Sequence, residues 1–176
     1  MNILIDREYI CEYVGQTGQI AANAFIPYGM ADGNGGVFKT EVSEQGYFDP
    51  YGINNDYEGT LEEARTLLKA AGYKFDDNGM LSSETPISIE YLTNHIAVAE
   101  AMQQDFAALG IEVTIQSQDW NVFLQERKNG NYDFCREGWL ADFNDPINML
   151  EMWITTSGNN DCQFGRTAEY YAAQNG

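Results

Sequence analysis

The stretch from Ile87 to Cys135 alternates two kinds of apolar pattern, and this alternation restricts the fold more than any other feature of the chain. Ile87-Ser88-Ile89-Glu90-Tyr91 has a period of two and a β-rich composition, so it reads as a strand with one buried face. From His95 to Leu109 the apolar residues Ile96, Ala99, Met102, Phe106 and Leu109 define a helix, with Asn94 placed to cap it and Gly110 to stop it. Ile111-Glu112-Val113-Thr114-Ile115 alternates again. Asp119 is placed to cap a helix from Trp120 to Lys128, with Phe123, Leu124 and Arg127 at helical spacing and Gly130 as its stop. Tyr132-Asp133-Phe134-Cys135 is a third short strand. Three strands alternating with two helices make a βαβαβ run, which predicts an α/β fold with a largely parallel sheet.

The flanks are less regular. Thr60-Leu61-Glu62-Glu63 fits a capping box ahead of a helix from Leu61 to Ala71, with Ala64, Leu67, Leu68 and Ala71 on one face. Asp76-Asp77-Asn78-Gly79 reads as a turn, because a calcium loop needs more alternating ligands and a distal acidic residue. Asp145 and Pro146 fit the N-cap and first position of a helix over Ile147 to Ile154. Asp6 is placed to cap a short helix over Arg7 to Val14 with Gly15 as its stop, and a second short helix is expected over Gln19 to Ala24. Asp32-Gly33-Asn34-Gly35-Gly36 and Phe48-Asp49-Pro50-Tyr51-Gly52 mark 31–59 as loop. The expected organisation is a single α/β lobe: a helical and loop-rich entry segment over 1–59, the βαβ core over 60–160, and a frayed or truncated tail over 161–176.

Nine basic against 27 acidic residues give a formal charge of −18, a field that repels phosphate backbones and argues against nucleic acid as a partner. No segment approaches the roughly 18 uninterrupted apolar residues of a membrane span. The start, Met1-Asn2-Ile3-Leu4-Ile5-Asp6, lacks the features of a signal peptide, so any export signal is expected to lie outside this chain. Cys11, Cys135 and Cys162 contain no CxxC spacing, and a single His95 argues against a zinc site and against most nucleophile–His arrangements. No GxSxG elbow, P-loop or dinucleotide fingerprint is present, and no cofactor is expected.

In open parallel sheets, ligands sit beyond the carboxyl ends of the strands. There the chain runs Arg136-Glu137-Gly138-Trp139-Leu140-Ala141-Asp142-Phe143-Asn144-Asp145-Pro146. A guanidinium, an aromatic plane and a carboxylate within seven residues complement a ligand that carries both charges and a flat body, as an amino acid or peptide does. The same residues also fit an internal Arg136–Asp142 pair, and burial of Trp120 and Trp139 in a core would instead favour a structural or interaction module. A third reading makes Asp142, with Asp145 or Glu137, a catalytic carboxylate pair of a hydrolase.

Leu61 to Asn160 resembles the C-terminal lobe of the oligopeptide- and dipeptide-binding proteins of ABC importers, solute-binding protein family 5. The matching features occur in order. They are the helix ending at Gly72-Tyr73, the strand and helix with Tyr91, Asn94 and His95, and the Leu109-Gly110-Ile111-Glu112-Val113 junction. Trp120, Phe123-Leu124 and Arg127 follow, then Gly130-Asn131-Tyr132-Asp133 and the Arg136 to Pro146 block. Asp6-Arg7 to Phe25-Ile26-Pro27 is similar to the helix and turn that precede this region in the family. The resemblance implies one lobe of the periplasmic-binding-protein type II fold and no enzymatic activity. Asp142 is then expected to receive the peptide's α-amino group, with Trp139 in the same cleft, Arg136 and Arg127 near the ligand or its carboxylate, and Trp120 lining a side-chain pocket. The implied partners are peptides, a membrane ABC permease and an N-terminal lobe outside this chain. The implied location is extracytoplasmic, in a periplasm or on a cell surface as a lipoprotein. Related proteins bind other solutes, including nickel chelates, heme, sugars and signalling peptides. The chain departs from the family at Phe143, where Tyr is frequent, and at Cys135, where a small residue is usual.

Overall fold

The computed structural model describes residues 1–22, 24–39 and 57–174; the expected turn at Phe48 to Gly52 lies outside them. A 3-10 turn over Asn2–Leu4 precedes helix α1, Arg7–Tyr9, which widens into a π-helical stretch over Ile10–Gly15. Then come α2 (Tyr57–Ala70), β1 (Ser88–Thr93), α3 (Ile96–Ala107), β2 (Glu112–Ser117), α4 (Trp120–Asn129) and β3 (Phe134–Cys135). Helix α5 (Ile147–Leu150), a 3-10 turn over Glu151–Trp153 and α6 (Ala168–Gln174) complete the order. Among the described residues, one compact unit takes in 1–22, 57–123 and 132–136, and a second takes in 24–39, 124–131 and 137–174.

The first unit carries the sheet, and the expected α/β class with parallel strands is borne out. Its strand order is β2-β1-β3 and both pairings are parallel, with Ile89 opposite Val113 and Tyr91 opposite both Ile115 and Phe134. The period-two pattern works as read: Ile89 and Tyr91 are buried while Ser88 and Glu90 are exposed. The core joins Ile89, Tyr91 and Val113 to Ala99, Phe106 and Leu109, with Leu4 and Ala64 packed in. Phe106 is 1% exposed and lies parallel to Phe134 at 6.2 Å between ring centres. Burying a side chain of that size contributes roughly 1.5–3 kcal/mol. Between α3 and β2, Gly110 takes a φ of +77°, and a Cβ there would come within 3.1 Å of the Leu81 amide nitrogen. That amide donates to Leu109 O at 2.9 Å, so the turn lies against the Leu81 backbone and a side chain at Gly110 would crowd it.

Several local expectations are corrected by neighbouring groups that compete for the same hydrogen bonds. Helix α2 begins at Tyr57, so Thr60 is an internal, buried residue and not the cap of Leu61. Asn94 does not cap α3: the hydroxyl of Thr93 accepts from the His95 amide at 2.9 Å, and the Asn94 side chain turns elsewhere. Asp6 does cap α1, accepting from Tyr9 N, but the stop falls on Gln16 in the left-handed region instead of Gly15. Residues 19–22 are not helical. The turn at Asp76 forms as read, with Asp76 Oδ1 accepting from both Asn78 N and Met80 N at 2.9 Å.

In the second unit the expected helix over Ile147 to Ile154 divides into α5 and the 3-10 turn that follows it. Asp145 still supplies the first bond, its carboxylate accepting from Ile147 N at 2.9 Å. The tail expected to fray from 161 runs through turns into α6. Two side chains far apart in hydrogen-bonding character hold those turns. Buried Asn160 bonds both N and O of Phe164 at 2.8 Å, and the Arg166 guanidinium donates to Thr155 O and Ser157 O at 2.8 and 2.7 Å. Such bonds depend on carbonyls brought together by folding, which no periodicity announces.

Candidate functional site

Parallel strands end on one edge, and β1, β2 and β3 deliver Thr93, Ser117 and Cys135 there. The chain leaves β3 at Arg136, whose amide extends the ladder by donating to Leu92 O at 2.9 Å. The Arg136 guanidinium donates to Asn94 Oδ1 at 3.3 Å, its single hydrogen bond among the described residues from a group with five donors. Below it, burial pushes the Tyr91 phenol up from its ordinary value, which the Thr93 hydrogen bond and the Arg136 charge partly oppose. The other flanking strand, β2, feeds α4, and Trp120 at its first turn is 52% exposed. Its indole stacks on buried Phe123 at 5.7 Å, which fixes the ring as a platform at the surface. The first unit thus carries two of the expected site residues, Arg136 and Trp120, at the carboxyl edge of its sheet.

The second unit carries the other three. Asp142 is exposed, and its carboxylate has no hydrogen bond or ion pair among the described residues. The backbone beneath it is fixed by Asn148, which is 5% exposed and had no place in the sequence reading. Asn148 Oδ1 accepts from the Trp139 indole nitrogen at 2.9 Å and from the Asp142 amide at 3.1 Å. One buried acceptor therefore ties the aromatic plane and the acidic residue to the same point. Asn144 adds a second tie, accepting from Ala31 N at 2.8 Å. An open depression of about 360 Å³ is lined by Ala141 and Phe143, the neighbours of Asp142, together with Tyr28, Met30 and Met149. Asp142 itself is not among its lining residues.

Arg127 is tied into the fold of the second unit. Its side chain is only 10% exposed and it pairs with Glu137 at 2.9 Å and Asp161 at 2.5 Å. It bolts α4 to the start of the 137–146 loop and to the turn after α5, so its guanidinium is engaged internally and not open to a ligand. This contact engages Glu137, and the Asp145 carboxylate accepts from Ile147 N. Trp120 is half exposed and Trp139 partly buried, so neither is a core residue. Among the described residues no cluster of His, Cys, Asp and Glu could hold a metal ion, and no helix is long and apolar enough to cross a membrane.

Comparisons with known proteins bear on the family and the fold. Residues 1–161 match the family model of bacterial extracellular solute-binding proteins, family 5, middle region. The chain is 32% identical to the oligopeptide-binding protein OppA of Bacillus subtilis (strain 168) over 161 residues, covering 89% of this chain and 26% of that protein. The solved structure of the Escherichia coli murein tripeptide binding protein MppA superposes with a TM-score of 0.71 at 28% identity, over 98% of this chain and 31% of that one. Haemophilus influenzae OppA, solved in complex with the peptide RPPGFSPFR, superposes at 0.68 with 25% identity, over 99% of this chain and 32% of that one. The chain thus spans about a quarter to a third of the length of these relatives, within the type II periplasmic-binding-protein fold they share. With its sheet, its ordered motifs and nine tenths of its length accounted for, the chain belongs to the bacterial extracellular solute-binding proteins of family 5.

Proposed function

We propose that this chain forms one wall of a peptide cleft in the solute-binding component of an ABC-type importer, acting outside the cytoplasmic membrane. The carrying observation is Asp142: an exposed carboxylate with no partner among the described residues, on backbone anchored by a buried amide. A free carboxylate held in place costs little to pair with an ammonium group, because no internal bond must break and the anchor has already restricted its motion. Asp142 thus receives the peptide's α-amino group. Trp139 packs beside the backbone of the first residues, and Trp120 offers its plane to a side chain. Arg136 keeps donors free for a peptide carbonyl or carboxylate, while Arg127 positions the loop through Glu137 and Asp161. No step of this reading makes or breaks a covalent bond. The opposite wall comes from the additional length seen in the relatives, and a membrane permease receives the closed complex. The names of those relatives, all peptide binders, support peptides over nickel chelates, heme or sugars.

A wall alone supplies part of the contacts, so binding by this chain is expected in the millimolar range, where NMR titration detects it. Free-amine tri- and tetrapeptides should shift the Trp139 indole and Asp142 amide resonances. N-acetylated peptides, and Asp142→Asn with free-amine peptides, should leave them in place. Equal shifts with acetylated peptides would remove Asp142 from the ligand.

A further inference from the structure

Two turns of this chain share a pattern in which Asn precedes Gly: Asp32-Gly33-Asn34-Gly35-Gly36 and Asp76-Asp77-Asn78-Gly79-Met80. A third Asn-Gly, Asn129-Gly130, follows α4, and the fourth, Asn175-Gly176, lies outside the described residues. The first two turns are built alike. Asp32 Oδ1 accepts from Asn34 N and Gly36 N at 2.8 and 2.9 Å, as Asp76 Oδ1 does from Asn78 N and Met80 N. In both, the first Asp also bonds through its amide to the carbonyl four residues on, at 3.2 and 2.8 Å.

They differ at two atoms: Asn34 Nδ2 donates to Asp32 O at 3.4 Å, a long bond that Asn78 lacks among the described residues, and the amide of the following glycine is bonded only in the Asp76 turn. Gly79 N donates to Asp76 O at 3.0 Å, and Gly130 N donates to Glu126 O at 3.1 Å. Gly35 N has no hydrogen bond among the described residues, and Asn34 and Gly35 are both exposed. Gly79 is held further through its carbonyl, which accepts from Arg65 Nε at 3.0 Å. A carboxamide followed by Gly is open to attack by the next backbone nitrogen, because Gly has no side chain to block the approach. An amide nitrogen committed to a hydrogen bond must first break it.

From this difference we infer that Asn34 is a site of spontaneous deamidation in the folded chain, while Asn78 and Asn129 are protected. Gly35 N loses its proton to solvent base and attacks Asn34 Cγ. The N–Cγ bond forms, the Cγ–Nδ2 bond breaks, and ammonia leaves with a proton from water. Water then opens the cyclic imide at either carbonyl, leaving aspartate or isoaspartate at 34 with one added negative charge and no change of oxidation state. The isoaspartate product inserts a methylene into a backbone whose Asn34 and Gly36 amides are both bonded to Asp32. That turn sits between Ala31 and Val37, the bridge whose Ala31 amide is held by Asn144. Deamidation therefore alters the turn that braces the Asp142 loop, whether or not that loop binds peptides.

The test is peptide mapping by mass spectrometry of the full chain aged in mildly alkaline buffer, with isoaspartate assigned at each site. Folded, Asn34 should convert about fivefold faster than Asn78 or Asn129, the factor set by opening one net backbone hydrogen bond. In denaturant the three rates should converge, since each is then an unbonded Asn-Gly. Faster or equal conversion at Asn78 or Asn129 in the folded chain would overturn the inference, as would a preference for Asn34 that persists undiminished in denaturant. The variant Asn34→Gln should abolish modification at 34 and leave the other two rates unchanged; altered rates there would mean that the sites are not independent and would refute the local argument.

Discussion

Replacing Asn148 with Ala removes the acceptor shared by the Trp139 indole and the Asp142 amide. The residue is 5% exposed, so its oxygen cannot be replaced by bulk water without rearrangement. Each orphaned donor would cost about 1–3 kcal/mol if fully buried. Trp139 is partly buried and Asp142 exposed, so both donors recover some hydration and the lower end applies to each. The sum is about 2 kcal/mol, which for a chain of this length corresponds to a fall in Tm of about 4–8 °C. The informative assay is local: hydrogen exchange at the Asp142 amide, with the Trp139 indole resonance as a second probe. One lost bond of about 1 kcal/mol lowers protection of that amide about fivefold. Asn148→Asp keeps an acceptor in place and should preserve the protection even where burial of its charge lowers overall stability. Unchanged exchange at Asp142 in Asn148→Ala would refute the view that this side chain anchors the loop.

Two further outcomes follow from the second unit. Arg127→Ala strands Glu137 and Asp161, and breaking so enclosed a pair costs about 3 kcal/mol, read as a lower urea midpoint; an effect under about 0.5 kcal/mol would make the pairs ornamental. Glu151 is held below its ordinary value of 4.5 by bonds from the Ser157 hydroxyl and the Asn159 amide. Its folded pKa is depressed, so the stabilisation is present above that ordinary value and is lost as pH falls through the lower folded one. Glu151→Gln should therefore flatten the acid limb of the unfolding profile, and an unchanged limb would exclude this carboxylate from it.

What the sequence determined by itself is the parallel α/β core and the chemistry offered by its carboxyl edge. Strand alternation at Ile89 and Tyr91, helical spacing through Phe106, and the Asp76 turn all depend on bonds and faces within a few residues, and these are written in local order. The resemblance added the role expected of each residue in the Arg136 to Pro146 block. Only tertiary structure decided which charges remain open. Arg127 meets Asp161 across 34 positions, Arg136 draws the Asn94 side chain across 42, and Asn148 gathers Trp139 and Asp142 onto one oxygen. A guanidinium or carboxylate has the same letter whether paired or free. Its availability is settled by the competition among distant partners that the fold brings within bonding distance.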